Sequence, residues 1–476
     1  MLTSHFEVLE TDVRDAEMAV ASEREWLSST EMKNVEGELV AAQAFLAFSR
    51  SDLSRVIILG REALQQLPRE NFTVRSIIAL HIGNAYRLQG DLLAAARTYA
   101  EAQAIGQQGG YRLVAVVTLV NQADLYEIQG QLDRAARLHR QAIRLATEPD
   151  GQVLPIAGWP YVGLAKQLRE WNDLDAATHY LRDAIELAER QYLEGIVVDG
   201  SITLALVLWE QGDLDRAFEM LDQAQRLIER WNDAATLIRV GAFRARLSLA
   251  RGDLAAAVRW VQESGLRVDD QLAERLEIEH LMFARILIAQ GRSQPDETFL
   301  EQAVILLFRL LQATEQEGRI GRMIEVLSLQ ALALCAQGNT SEALVALERA
   351  LALAEPQRYV RIFIDEGPPM VSLLQQARAR GLAANYITFL LAASGEQKGA
   401  VPPLTSSHTG SLLEPLTGRE MEVLRLLAAG ASNSDIARQL VVSLGTVKKH
   451  VYNICGKLGV QRRTQAIAHA RTLSLL

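Results

Sequence analysis

The fold of this chain is decided by a pattern seen clearly in residues 77–104, IIALHIGNAYRLQGDLLAAARTYAEAQA. Apolar residues recur at helical spacing on both sides of Gly90-Asp91-Leu92, which predicts two helices joined by a tight turn. Glycine can end the first helix in a left-handed conformation because it has no Cβ, and the aspartate can then cap the second helix. The stretch therefore predicts a helical hairpin.

The same turn recurs along most of the chain. Successive turns begin 39, 40, 42, 40, 40, 39 and 47 residues apart, and an insertion around 293–296 lengthens the last step. The eight turns are Ser51-Asp52-Leu53, Gly90-Asp91-Leu92, Gly130-Gln131-Leu132, Asn172-Asp173-Leu174, Gly212-Asp213-Leu214, Gly252-Asp253-Leu254, Gly291-Arg292-Ser293 and Gly338-Asn339-Thr340. Hairpins repeated at one spacing predict an all-α superhelical solenoid with a concave face.

The turn glycines and the small residues that follow them, such as Ala135-Ala136 and Ala176-Ala177, resemble tetratricopeptide (TPR) repeats of unusual length. Repeats of this period, together with residues 355–370, are similar to the sensor domain of the large ATP-dependent LuxR-type regulators, the MalT-like group. Those regulators begin with a nucleotide-binding module, but no G-x-x-x-x-G-K-[ST] loop occurs here. The resemblance therefore implies either a natural short form or a fragment of a longer regulator.

Composition excludes several classes of protein. With 476 residues, 49% hydrophobic and 22% charged, the chain has the balance of a folded protein rather than a disordered one. It has no secretory start and no uninterrupted apolar stretch of membrane-spanning length, so we expect a cytoplasmic protein without a membrane partner. Cys335 and Cys455 are too few and too far apart for a metal set or a disulfide framework. We expect no cofactor and no metal, and the absence of catalytic motifs argues against an enzyme.

A stretch rich in Gly, Ser, Thr and Pro separates the repeats from the end of the chain. We expect a helical-repeat sensor domain over 1–393, a flexible linker over 394–415 and a DNA-binding domain over 416–476. The last of these holds nine Lys/Arg and three acidic residues, a net charge of +6, which leaves −15 on the rest of a chain whose total is −9. A basic tail on an acidic body favours a polyanionic partner for the tail.

The tail contains helix patterns with their own caps. Thr417 with Glu420, and Ser432 with Asp435, have the spacing of capping boxes that open two short helices. A third helix is predicted from Ser443 to Leu458. In that helix one stripe is apolar and should be buried: Val447, Val451, Ile454 and Leu458. The opposite stripe should then face outward as Lys448, Lys449, Tyr452, Asn453 and Gly456, where a helix-turn-helix places its recognition helix in the major groove.

The ordered set of residues from Leu416-Thr417 to Lys457-Leu458-Gly459 resembles the LuxR/NarL/GerE-type DNA-binding domain of four helices. The resemblance implies base contacts by Lys448, Lys449 and Tyr452, and contacts near the DNA backbone by the following residues: Thr446, His450, Arg462 and Arg463. Gly445 departs from the acidic residues or asparagine common at its position, and Tyr452 leaves the preferred base open. The last helix either pairs two copies on DNA, as in that family, or packs on the domain's own first helix.

The solenoid is the predicted sensor. Polar and aromatic residues on the first helices would line its concave surface if those helices face inward, although core packing explains them equally well. They are Asn84, Tyr86, Asn121, Tyr126, Trp159 and Tyr161. The sequence thus predicts a transcription regulator, an activator by expectation, whose solenoid responds to a small-molecule inducer or a protein partner and controls binding to double-stranded DNA. The alternative is a TPR-like interaction scaffold or inhibitor in which DNA binding is secondary.

Overall fold

The computed structural model describes residues 29–50, 52–231, 233–272, 277–294, 296–395, 418–428 and 431–440, together with 11, 13–16, 18–19, 446, 447, 450, 451, 454 and 470. Over these residues the regular structure is helical, with one isolated β-bridge between Thr147 and Val153 and no strand. The chain divides into two compact units, Met1–Val401 and Pro402–Leu476. The all-α prediction is confirmed.

Eight helical hairpins follow one another over residues 29–354 of the first unit. In chain order their helices are α1 (Ser29–Ser49) and α2 (Leu53–Gln66), α3 (Phe72–Leu88) and α4 (Leu92–Gln108), α5 (Arg112–Ile128) and α6 (Leu132–Leu145), α7 (Gly158–Glu170) and α8 (Leu174–Glu189), α9 (Glu194–Glu210) and α10 (Leu214–Trp231), α11 (Ala234–Ala250) and α12 (Leu254–Ser264), α13 (Glu277–Ser293) and α14 (Glu297–Gln316), and α15 (Ile320–Ala336) and α16 (Thr340–Ala354). Odd-numbered helices are the first helices of the hairpins, and even-numbered helices are the second. This repetition confirms the predicted solenoid.

The turns between paired helices use the predicted chemistry. Gly90 adopts a left-handed φ of 81°, and the carboxylate of Asp91 accepts the backbone N–H of Ala94 at 2.9 Å. The same cap is formed by the aspartates of four other turns, Asp52, Asp173, Asp213 and Asp253. Each cap satisfies a backbone N–H that would otherwise lack a partner at the start of a helix, and such caps contribute about 1 kcal/mol each.

The predicted seventh turn at Gly291-Arg292-Ser293 is wrong. These residues are helical, α13 continues through Ser293, and α14 begins after Asp296, whose carboxylate accepts the N–H of Thr298 at 3.0 Å. Gly291 serves helix packing instead of a turn, since a Cβ there would lie 2.5 Å from Cγ of Leu300. A glycine needed for close approach looks the same in sequence as one needed for a turn.

The first helices of the last six hairpins close into a ring. In the order α5, α7, α9, α11, α13, α15, each contacts the next, and α15 returns to contact α5. At this closure a Cβ on Gly130 would lie 2.9 Å from Cγ2 of Ile320, so the two chain segments touch. The superhelix therefore completes one turn, and the six helices surround a space that we call the lumen.

Small residues on the second helices allow this close stacking. The alanines that face the hairpin core are fully buried: Ala95, Ala136, Ala177, Ala217 and Ala257. Larger apolar side chains, such as the fully buried Leu181 and Leu221, fill the remaining space. Truncating one such leucine to alanine costs about 2–5 kcal/mol, because the cavity left behind closes only in part.

The chain after α16 turns back toward the lumen. A 3-10 turn (Glu355–Gln357) and the short helix α17 (Arg361–Ile364) lead to α18 (Pro368–Ala379) and α19 (Ala384–Ala393). Residues 355–367, which we call the crossing segment, reach from α16 to α7, and α17 packs on both α7 and α15. Phe363 of this segment is fully buried beside Tyr386 of α19. The predicted last helical stretch, 386–393, is confirmed as most of α19.

The described part of the second unit contains α20 (Gly418–Ala428), α21 (Asn433–Leu440) and helical backbone at six further positions: 446, 447, 450, 451, 454 and 470. Among the helices described in either unit, none is both long and apolar enough to span a lipid bilayer.

Candidate functional site

The C-terminal unit packs around one small apolar cluster. Its buried members are Val423, Leu424 and Leu427 of α20, Ile436 of α21, and Val447, Ile454 and Ala470 beyond. Val451 packs against this cluster with its side chain partly buried. The apolar stripe predicted for the third helix is therefore present at Val447, Val451 and Ile454, while Leu458 lies outside the described residues. Ala470 is buried in the same cluster as α20, so at this position the last helical segment packs on its own unit.

One of the two predicted capping boxes is observed at the start of α21. The backbone N–H of Asp435 donates to Oγ of Ser432 at 3.3 Å, and the N–H of Ser432 donates to Oδ2 of Asp435 at 3.2 Å. The side-chain and backbone hydrogen bonds from Ser432 lower the pKa of the Asp435 carboxyl. The other box, at Thr417, lies outside the described residues. These reciprocal bonds fix where α21 begins, and so where the chain enters the next helix.

Two of the eight predicted DNA-contacting residues fall within the described residues. Thr446 and His450 both have helical backbone and half-buried side chains. The other six predicted residues lie outside the described part of the chain: Lys448, Lys449, Tyr452, Asn453, Arg462 and Arg463. Their DNA contacts stay a prediction. It follows from the apolar stripe, because a helix that packs Val447 and Ile454 into the core directs its opposite face away from that core.

In the solenoid, the structure joins two of the six predicted concave residues. Asn84 on α3 accepts hydrogen bonds through Oδ1 from the Tyr99 hydroxyl at 2.7 Å and from Nδ2 of Asn121 on α5 at 3.0 Å. Tyr99 is fully buried, and its pKa is raised chiefly by that burial. The network ties together neighbouring hairpins by polar contacts, which are costly to break where water is excluded.

The other four predicted residues are not brought together. Tyr126 lies under the guanidinium of Arg134, 5.6 Å from the ring centre, and Tyr86 packs on the core of the second hairpin. Trp159 packs, partly buried, on the core around α8 and α9. Tyr161 is only 8% exposed and its ring lies 5.4 Å from that of Tyr180. Packing accounts for each of these contacts.

The strongest polar site of the solenoid lies where the crossing segment meets the first helices. Glu366 accepts hydrogen bonds from Arg246 of α11 and from Arg285 of α13, each at 2.9 Å to Oε1. Asp365 accepts from Arg169 of α7 at 2.5 Å. These groups are nearly buried, with 7% of the Glu366 side chain and 6% of the Asp365 side chain exposed.

Backbone contacts complete the attachment of the crossing segment. The carboxylate of Glu170 accepts the N–H groups of Val360 at 3.1 Å and Ile362 at 3.0 Å. The indole N–H of Trp171 donates to the carbonyl of Gln357 at 3.0 Å. One end of the lumen is therefore occupied by the chain's own residues, held by side chains from several consecutive hairpins.

Two carboxylates around the crossing segment, Glu366 and Glu325, are balanced by close guanidinium groups. Burial raises the pKa of Glu366, but the guanidinium groups of Arg246 and Arg285 outweigh this effect and hold that pKa below its usual range. Burial likewise opposes ionisation of Glu325, yet Arg285 and Arg322 lower its pKa to about 2. These carboxylates are thus ionised at neutral pH, and loss of Glu366 would leave the buried guanidinium of Arg246 without its carboxylate partner.

Sequence reasoning missed these residues. A cue was available, because charged residues interrupt otherwise apolar first helices at intervals near the repeat length, as Arg246, Arg285 and Glu325 do. The carboxylate that Arg246 and Arg285 share, however, is Glu366, which lies 120 and 81 positions away from them in the chain. No local pattern reports such a contact.

Comparison with known families agrees with this architecture. A family model described as the MalT-like TPR region matches residues 37–380, well over half of the chain. The chain belongs to this MalT-like family. The C-terminal unit of the MalT-like protein also matches the model for bacterial regulatory proteins of the luxR family, over residues 414–470. Both resemblances expected from the sequence are confirmed, and the two models describe a repeat region and a regulatory domain.

A solved structure of a Rap protein has the same type of fold. The MalT-like protein is similar to a Rap protein complexed with Competence and Sporulation Factor, with 13% identity, a TM-score of 0.50, and coverage of 75% of this chain and 98% of that one. It is also similar to BtubC (BKLC) from P. vanneervenii, with 21% identity and a TM-score of 0.38. This match covers 47% of the MalT-like protein and 92% of BtubC. At these identities the likeness to the Rap protein shows a shared fold and nothing about ligands.

Proposed function

We propose that this MalT-like protein is a transcription activator in which ligand binding to the solenoid controls promoter binding by the C-terminal helix-turn-helix. The match of residues 414–470 to bacterial regulatory proteins of the luxR family carries the proposal. The buried stripe of Val447, Val451 and Ile454 supports it, because a recognition helix needs such a back face to hold it against the domain. We assign the sensor domain to 1–393, the linker to 394–415 and the DNA-binding domain to 416–476.

The assigned contacts to double-stranded DNA are base edges for Lys448, Lys449, Tyr452 and Asn453, and phosphates for Thr446, His450, Arg462 and Arg463. Lysine donates to guanine O6 and N7, and asparagine pairs with adenine, so these side chains suit major-groove recognition. Two copies on a pair of half-sites would fit the symmetry of most helix-turn-helix operators.

The test is selection of bound fragments from a genomic DNA library with the full chain, followed by binding measurements on the selected duplex. Replacing Lys448 and Lys449 by alanine should weaken binding at least roughly 30-fold, because each contact contributes about 1–3 kcal/mol. The matched control replaces Arg190 and Arg216, two exposed arginines of the solenoid, and should leave binding unchanged.

Affinity should also fall steeply as salt rises from 50 to 200 mM, because phosphate contacts release counterions. Equal weakening by the two double substitutions, or binding that does not depend on salt, would refute the proposed role as a DNA-binding regulator.

The second candidate, an interaction scaffold or inhibitor, is favoured by the similarity to a Rap fold. It predicts that the substitution of Lys448 and Lys449 leaves capture of a protein partner intact and that no duplex is selected.

A further inference from the structure

A second set of charged residues lies in the lumen, and it joins the network around the crossing segment through Arg322, which pairs with Glu325 at 2.7 Å. Each of the six first helices that close the ring contributes to it, and we call the set the charge ring. Its members are Asp124 and Glu127 of α5, Lys166 of α7, Asp199 of α9, Arg239 of α11, Glu279 of α13 and Arg322 of α15. From helix to helix around the ring, the sign of the charge alternates.

The members interact around a closed circuit. The charges of Asp124, Glu127 and Asp199 act on Lys166, and the charge of Arg239 opposes them. Arg239 and Arg322 both act on Glu279, and Glu127 acts on Arg322, which returns the circuit to α5. Lys166 on α7 acts with Arg239 on α11, and Asp124 on α5 acts with Asp199 on α9, although neither pair of helices is adjacent in the ring, so these side chains face the lumen.

Arg322 is paired with Glu277 and Glu325, but four other members of the charge ring form no ion pair with another described residue. Among the described residues, no ion pair within 4.0 Å involves Asp124, Lys166, Asp199 or Arg239, in contrast to the tight pairs at the crossing segment. Lys166 is exposed, and the other three are partly exposed, so solvent reaches the space between them. Glu279 is 1% exposed, and its Oε2 has no hydrogen-bond partner.

The space is closed at one end. Glu170, which binds the crossing segment, lies one helical turn beyond Lys166 on α7, a rise of about 6 Å. On α13, Arg285 lies six residues beyond Glu279, a rise of about 9 Å. On α7 and α13, the crossing segment is therefore bound about one or two helical turns from the charge ring, and it covers one end of the lumen.

Positive and negative side chains are unevenly distributed around the charge ring. Carboxylates outnumber cations on the side of α5, α7 and α9, where Asp124, Glu127 and Asp199 face a single lysine. Burial, followed by the charge of Glu127, raises the pKa of Asp124 to about 6, although the charges of Lys166 and Arg87 oppose this effect. Across the lumen, Arg239 has a carboxylate neighbour, Glu279, that it does not reach as an ion pair.

We propose that the charge ring binds a small zwitterion, a free amino acid or a dipeptide or tripeptide with free termini. Its ammonium group would lie between Asp124 and Asp199, and its carboxylate would lie at Arg239. A ligand with one charge or none would leave half of the ring uncompensated in a partly desolvated site. This inference rests on the proposed sensor function and assigns that function its ligand class.

The test is equilibrium dialysis of the full chain against the twenty amino acids and random tripeptides, with mass-spectrometric identification of what is retained. A matched pool, N-acetylated and C-amidated, serves as the blocked control. The wild-type chain should retain species with both free termini and none of the blocked ones. Absence of any retained free species, or equal retention from the blocked pool, would overturn the proposal without any substitution.

Substitutions locate the site. Asp199→Asn and Arg239→Gln should each reduce retention by at least about tenfold, because each removes a charge-assisted contact. The same chemical changes at Asp215 and Arg251, an exposed ion pair with N and O 2.6 Å apart, are the matched controls and should have no effect. Since neither ring residue forms an ion pair, both variants should keep the wild-type circular dichroism spectrum. Equal effects of ring and control variants would place the ligand elsewhere and overturn the proposal.

DNA binding measured on the same preparations separates the two proposals. DNA binding without retention of any zwitterion overturns the charge-ring site and leaves the regulator. Retention of a zwitterion by a chain that selects no DNA supports the charge-ring site and refutes the regulator.

Discussion

Closure of the ring between α5 and α15 can be tested with one added methyl group. Gly130 has a φ of 72°, and a Cβ there would lie 2.9 Å from Cγ2 and 3.1 Å from Cβ of Ile320. Gly212 occupies the same position of another hairpin with a φ of 89°, but a Cβ there would meet nothing within 4 Å. Gly212→Ala therefore measures the cost of backbone strain alone, and Gly130→Ala measures strain plus the clash.

The difference between the two variants can be estimated. A left-handed alanine costs about 1–2 kcal/mol in both, and an overpacked contact adds about 1–3 kcal/mol in Gly130→Ala alone. An unfolding entropy of about 2.1 cal/mol/K per residue over roughly 360 residues corresponds to about 0.8 kcal/mol per degree. Gly130→Ala should therefore melt about 1–4 °C below Gly212→Ala when unfolding is followed by circular dichroism at 222 nm.

A second substitution locates the effect at the closure. Truncating Ile320 to alanine in the Gly130→Ala background should recover part of the loss, whereas in the Gly212→Ala background it should only add its own cost. If the two glycine variants melt at the same temperature, or if the truncation acts equally in both, the first helices do not close as described.

Three further outcomes are expected. Glu366→Ala leaves the buried guanidinium of Arg246 without its carboxylate partner and removes one of the two partners of Arg285, so thermal unfolding should show a loss of about 3–5 kcal/mol. Glu348→Ala on the exposed face of α16 should change stability by less than about 0.5 kcal/mol, and equal losses in the two variants would contradict a stabilising role of the Glu366 ion pairs. Glu325 has a lowered pKa of about 2, so the stability that its carboxylate contributes is present above the pKa of the unfolded chain and is lost as the pH falls toward 2. The difference in melting temperature between wild type and Glu325→Gln should therefore narrow from about pH 6 to about pH 3. A constant difference would show that ionisation of Glu325 does not stabilise the fold. Ser432→Ala should destabilise the C-terminal unit by about 0.5–2 kcal/mol in a urea titration of the intact chain, and an unchanged midpoint for that unit would show that the cap contributes nothing.

Much of the candidate site at the C terminus was predictable from sequence. The capping box at Ser432 and the buried positions Val447 and Ile454 follow from spacings of three and seven residues, and short-range spacing is what helix geometry dictates. In the solenoid, by contrast, the predicted concave residues were selected by polarity alone. Asn84 and Asn121 meet, but Tyr161 is buried against Tyr180, because polarity does not say which side of a hairpin faces its neighbour.

The seventh turn shows the limit of the repeat pattern itself. Gly291 fits the forty-residue spacing, yet it lies within α13 and makes room for Leu300 of α14. The sequence contains the glycine that the packing requires, but it does not say whether backbone conformation or side-chain volume requires it.

The sequence by itself determined the number of hairpins and the aspartate caps of five of their turns, because each depends on residues within one or two helical turns of one another. Only the tertiary structure decided that six hairpins complete a ring, that residues 355–367 cross it, and that charged side chains from separate first helices act on one another. The physical reason is cumulative: each hairpin adds a small rotation, and a circle closes only when the rotations sum over some two hundred residues. The contacts that then form, such as Val360 with Glu170 across 190 positions, leave no periodic trace in the chain.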